Sequence, residues 1–190
     1  MDYKQTEIAD CIIIYPKRFP DERGVFFELY NDHRYLENFI HMRDGPGNPL
    51  GSILIQSKWR QTNCSVSNRH VVRGIHVTPF AKLVTCVLGH VWDVVVDMRK
   101  ESPTYLKWVG IDLAHDKDVE PTQVYVPPGC GHGFFAYEEG SVLIYQQNGT
   151  YDPYVETTIH WRDPTLAIAW PDAEDYIVSR KDELGEYVRR

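Results

Sequence analysis

The stretch VWDVVVDMR, residues 91–99, alternates strictly: Trp92, Val94, Val96 and Met98 fall on one side of an extended chain and Asp93, Val95, Asp97 and Arg99 on the other. A helix would scatter those residues around its circumference, so the pattern demands a strand. The same grammar recurs in QVYVP, SVLIYQQ and LAIAW, runs rich in Val, Ile and Tyr. Between them stand the turn-forming segments KESPT, PPGCG, EEGS, NGTYDP and RDPT. Short strands at close spacing with turns between them predict an all-β sandwich, barrel or jelly roll. Helical spacing is confined to two places. NDHRYLENFI opens with residues able to cap a helix, and SRKDELGEYVRR has Ser179 as a cap for a short C-terminal helix.

A chain of 190 residues suffices for one sizeable core, and no repeat or low-complexity tract divides it. HMRDGPGNPLGS reads as an exposed loop inside a single domain spanning residues 1–190, because strand patterning resumes on both sides. No apolar run approaches the roughly 20 residues that span a bilayer, so no membrane is expected as a partner. The polar start MDYKQTEIAD is not a signal peptide, and Cys11, Cys64, Cys86 and Cys130 form no C-x-x-C pair. These features predict a cytoplasmic protein with reduced, mostly buried thiols. A formal net charge of −7 argues against nucleic acid as a partner but leaves room for an anionic small molecule in a locally positive pocket.

Such a place exists in VVRGIHVTPFAKLV, where Arg73, His76 and Lys82 interrupt a half-buried strand. By period two, Arg73, Ile75 and Val77 oppose Gly74, His76 and Thr78. Taken alone, His76 reads as a hydrogen-bonded core histidine and Lys82 as a solvated turn residue. The run PPGCGHGFF carries the P-x-G-x-x-H pattern of cupin barrels, with Pro127, Gly129 and His132. Cupin metal sites pair such a histidine with H-x-H and a glutamate. Here the matching place reads His76-Val77-Thr78 with Lys82 downstream. An ammonium repels a divalent cation, so the pattern points to a site that stabilises negative charge and holds no metal. Tyr145 and Tyr151, in LIYQQNGTYDPY, read as core or rim aromatics.

Four motifs occur in fixed order: F-x-D-x-R-G-x-F-x-E from Phe19, R-G-I-H from Arg73, D-V-x-V-D-x-R-x-x-S-P-T from Asp93 and P-x-G-x-x-H-x-F from Pro127. Together they make the chain resemble the dTDP-4-dehydrorhamnose 3,5-epimerase family over most of its length. The resemblance implies a double-stranded jelly roll and a homodimer whose N-terminal strand is exchanged between subunits. It implies catalysis with no cofactor, on a nucleotide-diphosphate 4-keto-6-deoxy sugar whose C3 and C5 protons are acidified by the carbonyl. It implies His76 as base, Asp182 as the carboxylate fixing its tautomer, and Tyr145 as proton donor on the opposite face. Lys82 would stabilise the enolate oxygen, with Asp93 orienting the ammonium. Arg23 and Arg73 match phosphate- and sugar-binding arginines, and Tyr151 the aromatic that stacks on thymine. Glu28, Gln61, Asn63, His132, Glu156 and Lys181 fall on the remaining binding positions.

Two departures bear on specificity. Thr78 stands where the family has Gln, in a shortened loop, which keeps single-centre epimerisation open as an alternative to inversion at both carbons. An insertion at residues 41–59 lies at the nucleotide end, which keeps UDP- or GDP-linked sugars open. The competing readings are a nucleotide-sugar 3,4-ketoisomerase and a non-catalytic cupin.

Overall fold

The structure, a computed structural model, describes residues 2–39, 58–115 and 121–189. The loop read at residues 41–52, and all of the 41–59 insertion but its last two residues, lie outside the described residues.

The chain is almost entirely strand. It begins with β1 (Asp2–Gln5), β2 (Ile12–Tyr15), the hairpin β3 (Arg18–Asp21) and β4 (Gly24–Phe27), and helix α1 (Asp32–Phe39). The main body is β5 (Gln61–Ser67), β6 (Val71–Val77), β7 (Lys82–Asp97), β8 (Trp108–His115), β9 (Gln123–Val126), β10 (Cys130–Ala136) and β11 (Ser141–Gln147). Then come the short β12 (Thr157–Thr158) and β13 (Ile177–Val178), and the single helical turn α2 (Arg180–Glu183).

Strand β7, 16 residues long, organises the whole. Its first half pairs with β9 and β11, extending a layer ordered β1-β2-β9-β7-β11-β5. Its second half pairs with β8 and β10, in a layer continued by β6 and then β12 and β13. One strand therefore turns the corner between two facing sheets, and the fold is a jelly roll. The corner falls at Gly89, whose φ of +78° suits glycine and whose absent side chain admits Ser141: a Cβ there would meet Ser141 Oγ at 2.7 Å.

Between the sheets lies a core of Val84, Cys86, Val91, Val95, Ile111, Leu113, Val124, Phe134 and Leu143. The outer faces are covered too. Tyr35 and Trp59 pack over Ile12, Ile14 and Leu83 on one side. Ile159, Leu166, Ile168 and Trp170 pack over Ile75, Val94 and Val96 on the other. Both faces of β7 are thus buried except around the exposed Leu88 at the corner, and its two aspartates point inward with 0% exposure. Asp97 is satisfied there by Arg99, Ser102 (2.5 Å) and Thr104 (2.6 Å) from its own motif, while Arg99 reaches on to Asp10 (2.6 Å) and the carbonyl of Ala9. That motif staples the N-terminal segment to the barrel. Burial pushes the Asp97 carboxyl up, but the Arg99, Ser102 and Thr104 hydrogen bonds outweigh it and hold the group at about 2.

The expected helix near Asn31 forms, with Asn31 Oδ1 accepting the Arg34 N–H. Ser179 likewise caps α2, accepting from the Asp182 N–H; the short C-terminal helix is a single turn, and the rest of SRKDELGEYVRR is not helical but makes a bridge from Glu186 to Ile159. LAIAW is not a strand: its apolar residues cover the outside of the second sheet as irregular chain. All four cysteines are free, Cys64 exposed and the others buried. Among the described residues no helix is long and apolar enough to cross a membrane.

Candidate active site

At one end of the barrel the two sheets part around a cavity of about 340 Å³. Strand β5 supplies Gln61, Asn63 and Ser65 in period two; β6 supplies Arg73 and His76; Lys82 begins β7. His132 comes from β10, Tyr145 and Gln147 from β11, and Tyr151, Glu156 and Lys181 from the segments beyond. Ser65 and Gln147 were not picked out from the sequence. Strict alternation from Asn63 and from Tyr145 was the signal that places them on the same wall.

Arg73 and His76 are three residues apart and line the same cavity, against the period-two expectation. The ladder explains it. His76 pairs with His132 and Arg73 with Phe134, so Gly74 and Ile75 together face the single residue Gly133. This β-bulge resets the alternation between the two functional side chains. Only glycine fits at its first position: Gly74 has φ +109°, and a Cβ would meet the His132 carbonyl oxygen at 2.6 Å and Gly133 Cα at 2.7 Å.

His76 Nε2 donates to Asp182 Oδ1 at 2.7 Å, although the two are 106 positions apart in the chain. Asp182 Oδ2 accepts the Gly74 N–H at 3.2 Å, and its own N–H is held by the Ser179 cap. Burial raises the Asp182 carboxyl, yet the bonds from His76, Gly74 and Ser179 leave it below the ordinary range, so it is a carboxylate at neutral pH. With Nε2 committed to Asp182, Nδ1 is the ring nitrogen left to exchange a proton.

Lys82 is 4% exposed, far from a solvated turn residue. Its ammonium lies 3.5 Å from the His76 carbonyl oxygen. Burial lowers its pKa to about 8, with Glu156 and Asp93 opposing the fall and Lys181 adding to it. Asp93, expected near this ammonium, acts on it through its charge and makes no hydrogen bond to it. Its Oδ2 accepts instead from His132 Nε2 at 2.7 Å, because Asp93 lies beside Phe134 on the neighbouring strand, far along β7 from Lys82. His132 in turn sets its ring edge-on to Tyr145, 6.4 Å between centroids. Burial and the nearby Glu156 raise the Tyr145 phenol above its usual value, so it keeps its proton at neutral pH.

At the open end, the amides form a directed relay. Gln61 Oε1 accepts the Tyr151 N–H at 2.7 Å and Gln61 Nε2 donates to Asn63 Oδ1 at 2.7 Å, which leaves the buried Asn63 Nδ2 as a donor with no protein partner among the described residues. Lys181 pairs with Glu156 and stands 5.9 Å from the centre of the Tyr151 ring. Arg23 and Glu28 are not in this cavity. Arg23, its side chain 83% exposed, pairs with Asp21 at the tip of the β3–β4 hairpin, and Glu28 pairs with Arg34 at 2.8 Å. Among the described residues no three His, Cys, Asp or Glu gather so as to hold a metal ion.

A jelly roll whose mouth sets a carboxylate-held imidazole, a protonated phenol and a buried ammonium around one cavity defines a cupin-like protein built for proton transfer beside a stabilised anion. The comparisons narrow that class. The family described as dTDP-4-dehydrorhamnose 3,5-epimerase matches residues 5–189, and the chain belongs to it. The dTDP-4-dehydrorhamnose 3,5-epimerase of Salmonella typhimurium is 37% identical over 184 residues, covering 94% of this chain and 90% of its own. The dTDP-4-dehydrorhamnose 3-epimerase of Streptomyces niveus is 42% identical over 174 residues, covering 90% and 76%. The crystal structure of the epimerase RmlC from Legionella pneumophila in complex with dTDP-4-keto-L-rhamnose superposes with a TM-score of 0.85 at 35% identity, covering 98% of this chain and 92% of that one.

Proposed function

We propose that the chain is a cofactor-independent epimerase of a dTDP-linked 4-keto-6-deoxy sugar, inverting C3, C5 or both. The observation that carries this reading is the placement of His76 and Tyr145 on opposite sheets of one cavity that the buried Lys82 also lines. Nδ1 of His76 takes the proton from the carbon next to the ketone. The electron pair moves into the carbonyl, and the oxygen becomes an enolate beside the Lys82 ammonium. The phenol of Tyr145 then protonates the same carbon from the other face, and solvent restores the phenol and relieves the imidazolium. The Asp182 carboxylate fixes the tautomer and stabilises the imidazolium while it exists.

Arg73, Lys181 and the Asn63 amide supply donors for the diphosphate and the base, and Tyr151 offers a face for stacking. The exposed hairpin supports a homodimer in which each subunit lends Arg23 to the other's cavity: Arg23 lies outside its own, and Phe26 beside it is 65% exposed. Mixing Arg23→Ala with His76→Ala protein should restore activity that neither has alone; no complementation removes the exchange.

The test of the chemistry is incubation with dTDP-4-keto-6-deoxyglucose in heavy water, counting deuterium at each ring carbon. Label at C3, C5 or both is expected, lost in His76→Ala. Exchange at full rate in that variant removes His76 as base, and a 3-keto product assigns the chain to the ketoisomerases.

A further inference from the structure

The inner face of β5 presents Gln61, Asn63, Ser65 and Ser67 in succession, but only the first three line the cavity. Ser67 is 1% exposed. Its hydroxyl accepts from Arg73 Nε at 3.2 Å, and the neighbouring Val66 carbonyl accepts from Arg73 Nη2 at 3.3 Å. Arg73 belongs to β6 in the facing sheet, so this pair of bonds ties the two sheets together beside the β5–β6 connection.

A guanidinium has two forks for a bidentate acceptor: one along Nε and Nη2, the other at the end, along Nη1 and Nη2. Ser67 and the Val66 carbonyl take the first. A long arginine otherwise loses much rotamer freedom when it grips a phosphate. Here β5 has fixed the plane beforehand and left the end fork to the cavity.

We infer that Ser67 is a positioning residue for nucleotide recognition: it orients Arg73 so that the end fork of the guanidinium meets a phosphate oxygen pair of the substrate. This rests on the proposed reading, in which Arg73 binds the diphosphate. Ser67 touches no substrate and acts through Arg73 alone.

The experiment is titration calorimetry with dTDP as probe, together with steady-state kinetics, on the wild-type protein, Ser67→Ala, Ser67→Thr, Arg73→Ala and the Ser67→Ala/Arg73→Ala double variant. Loss of one hydrogen bond to a charged group is expected to weaken dTDP binding, and raise KM, about fivefold to tenfold in Ser67→Ala. Turnover at saturation should stay within about twofold of wild type. Ser67→Thr, which keeps the hydroxyl, should bind as wild type does. In the Arg73→Ala background the serine substitution should have no further effect. If Arg73→Ala weakens binding and Ser67→Ala does not, or if the two losses add, the positioning role is overturned. If Arg73→Ala itself leaves dTDP binding intact, the phosphate reading of Arg73 fails and the inference falls with it.

Discussion

Replacing Lys82 by methionine keeps the length of the aliphatic stem and removes the charge. A fall of the ammonium pKa from 10.5 to about 8 at a 4% exposed position, at ~1.4 kcal/mol per pH unit, means that holding the charged form in the folded protein costs about 3 kcal/mol. The folded-state pKa lies below the unfolded one, so this cost is fully present below about pH 8 and fades as pH rises toward the unfolded value of 10.5. Lys82→Met should therefore be the more stable protein in urea melts at pH 7, by up to about 3 kcal/mol, with the gap closing towards pH 10. The same variant should lose about 10²- to 10³-fold in turnover, the effect of removing one preorganised group from a developing oxyanion. Wild-type kcat/KM should fall as the ammonium is lost above about pH 8. A Lys82→Met protein that is less stable at pH 7, with a gap indifferent to pH, refutes the argument that the charge is held at a cost. One that is fully active refutes the role assigned to it.

Asp182→Asn leaves shape intact but removes the carboxylate that accepts the His76 Nε2–H hydrogen bond; turnover should drop about 10²- to 10⁴-fold with dTDP affinity within about twofold, as measured by single-turnover kinetics and calorimetry. Gly74→Ala drives a methyl into the β10 backbone at a left-handed φ, and chemical denaturation should show a loss of ~3 kcal/mol or more.

Much of this was legible before any coordinates. Alternation and turn residues gave the all-β class, and motif order gave the family, with the fold and residue roles that the resemblance implies. What could not be read were the exceptions to simple periodicity. LAIAW is apolar enough for a strand, yet its residues find their partners on the outside of a sheet, so burial without pairing explains the same composition. Asp93 and Lys82 are both in β7, but one long strand that turns a corner between sheets carries them to different neighbours. Arg73 and His76 were assigned to opposite faces because a bulge has no signature beyond a glycine. Arg23 and Glu28 match the family's binding motif, but a hairpin standing off its own barrel cannot bring them to the cavity of the same chain.

The one-residue insertion at Gly74 acts as a phase shift in an otherwise two-beat ribbon. Deleting a residue there would exchange inside for outside along the rest of β6, turning either the imidazole or the guanidinium away from the substrate while leaving composition and hydropathy almost untouched. A variant library that samples substitutions but not single-residue deletions will therefore miss the most economical way of silencing this barrel.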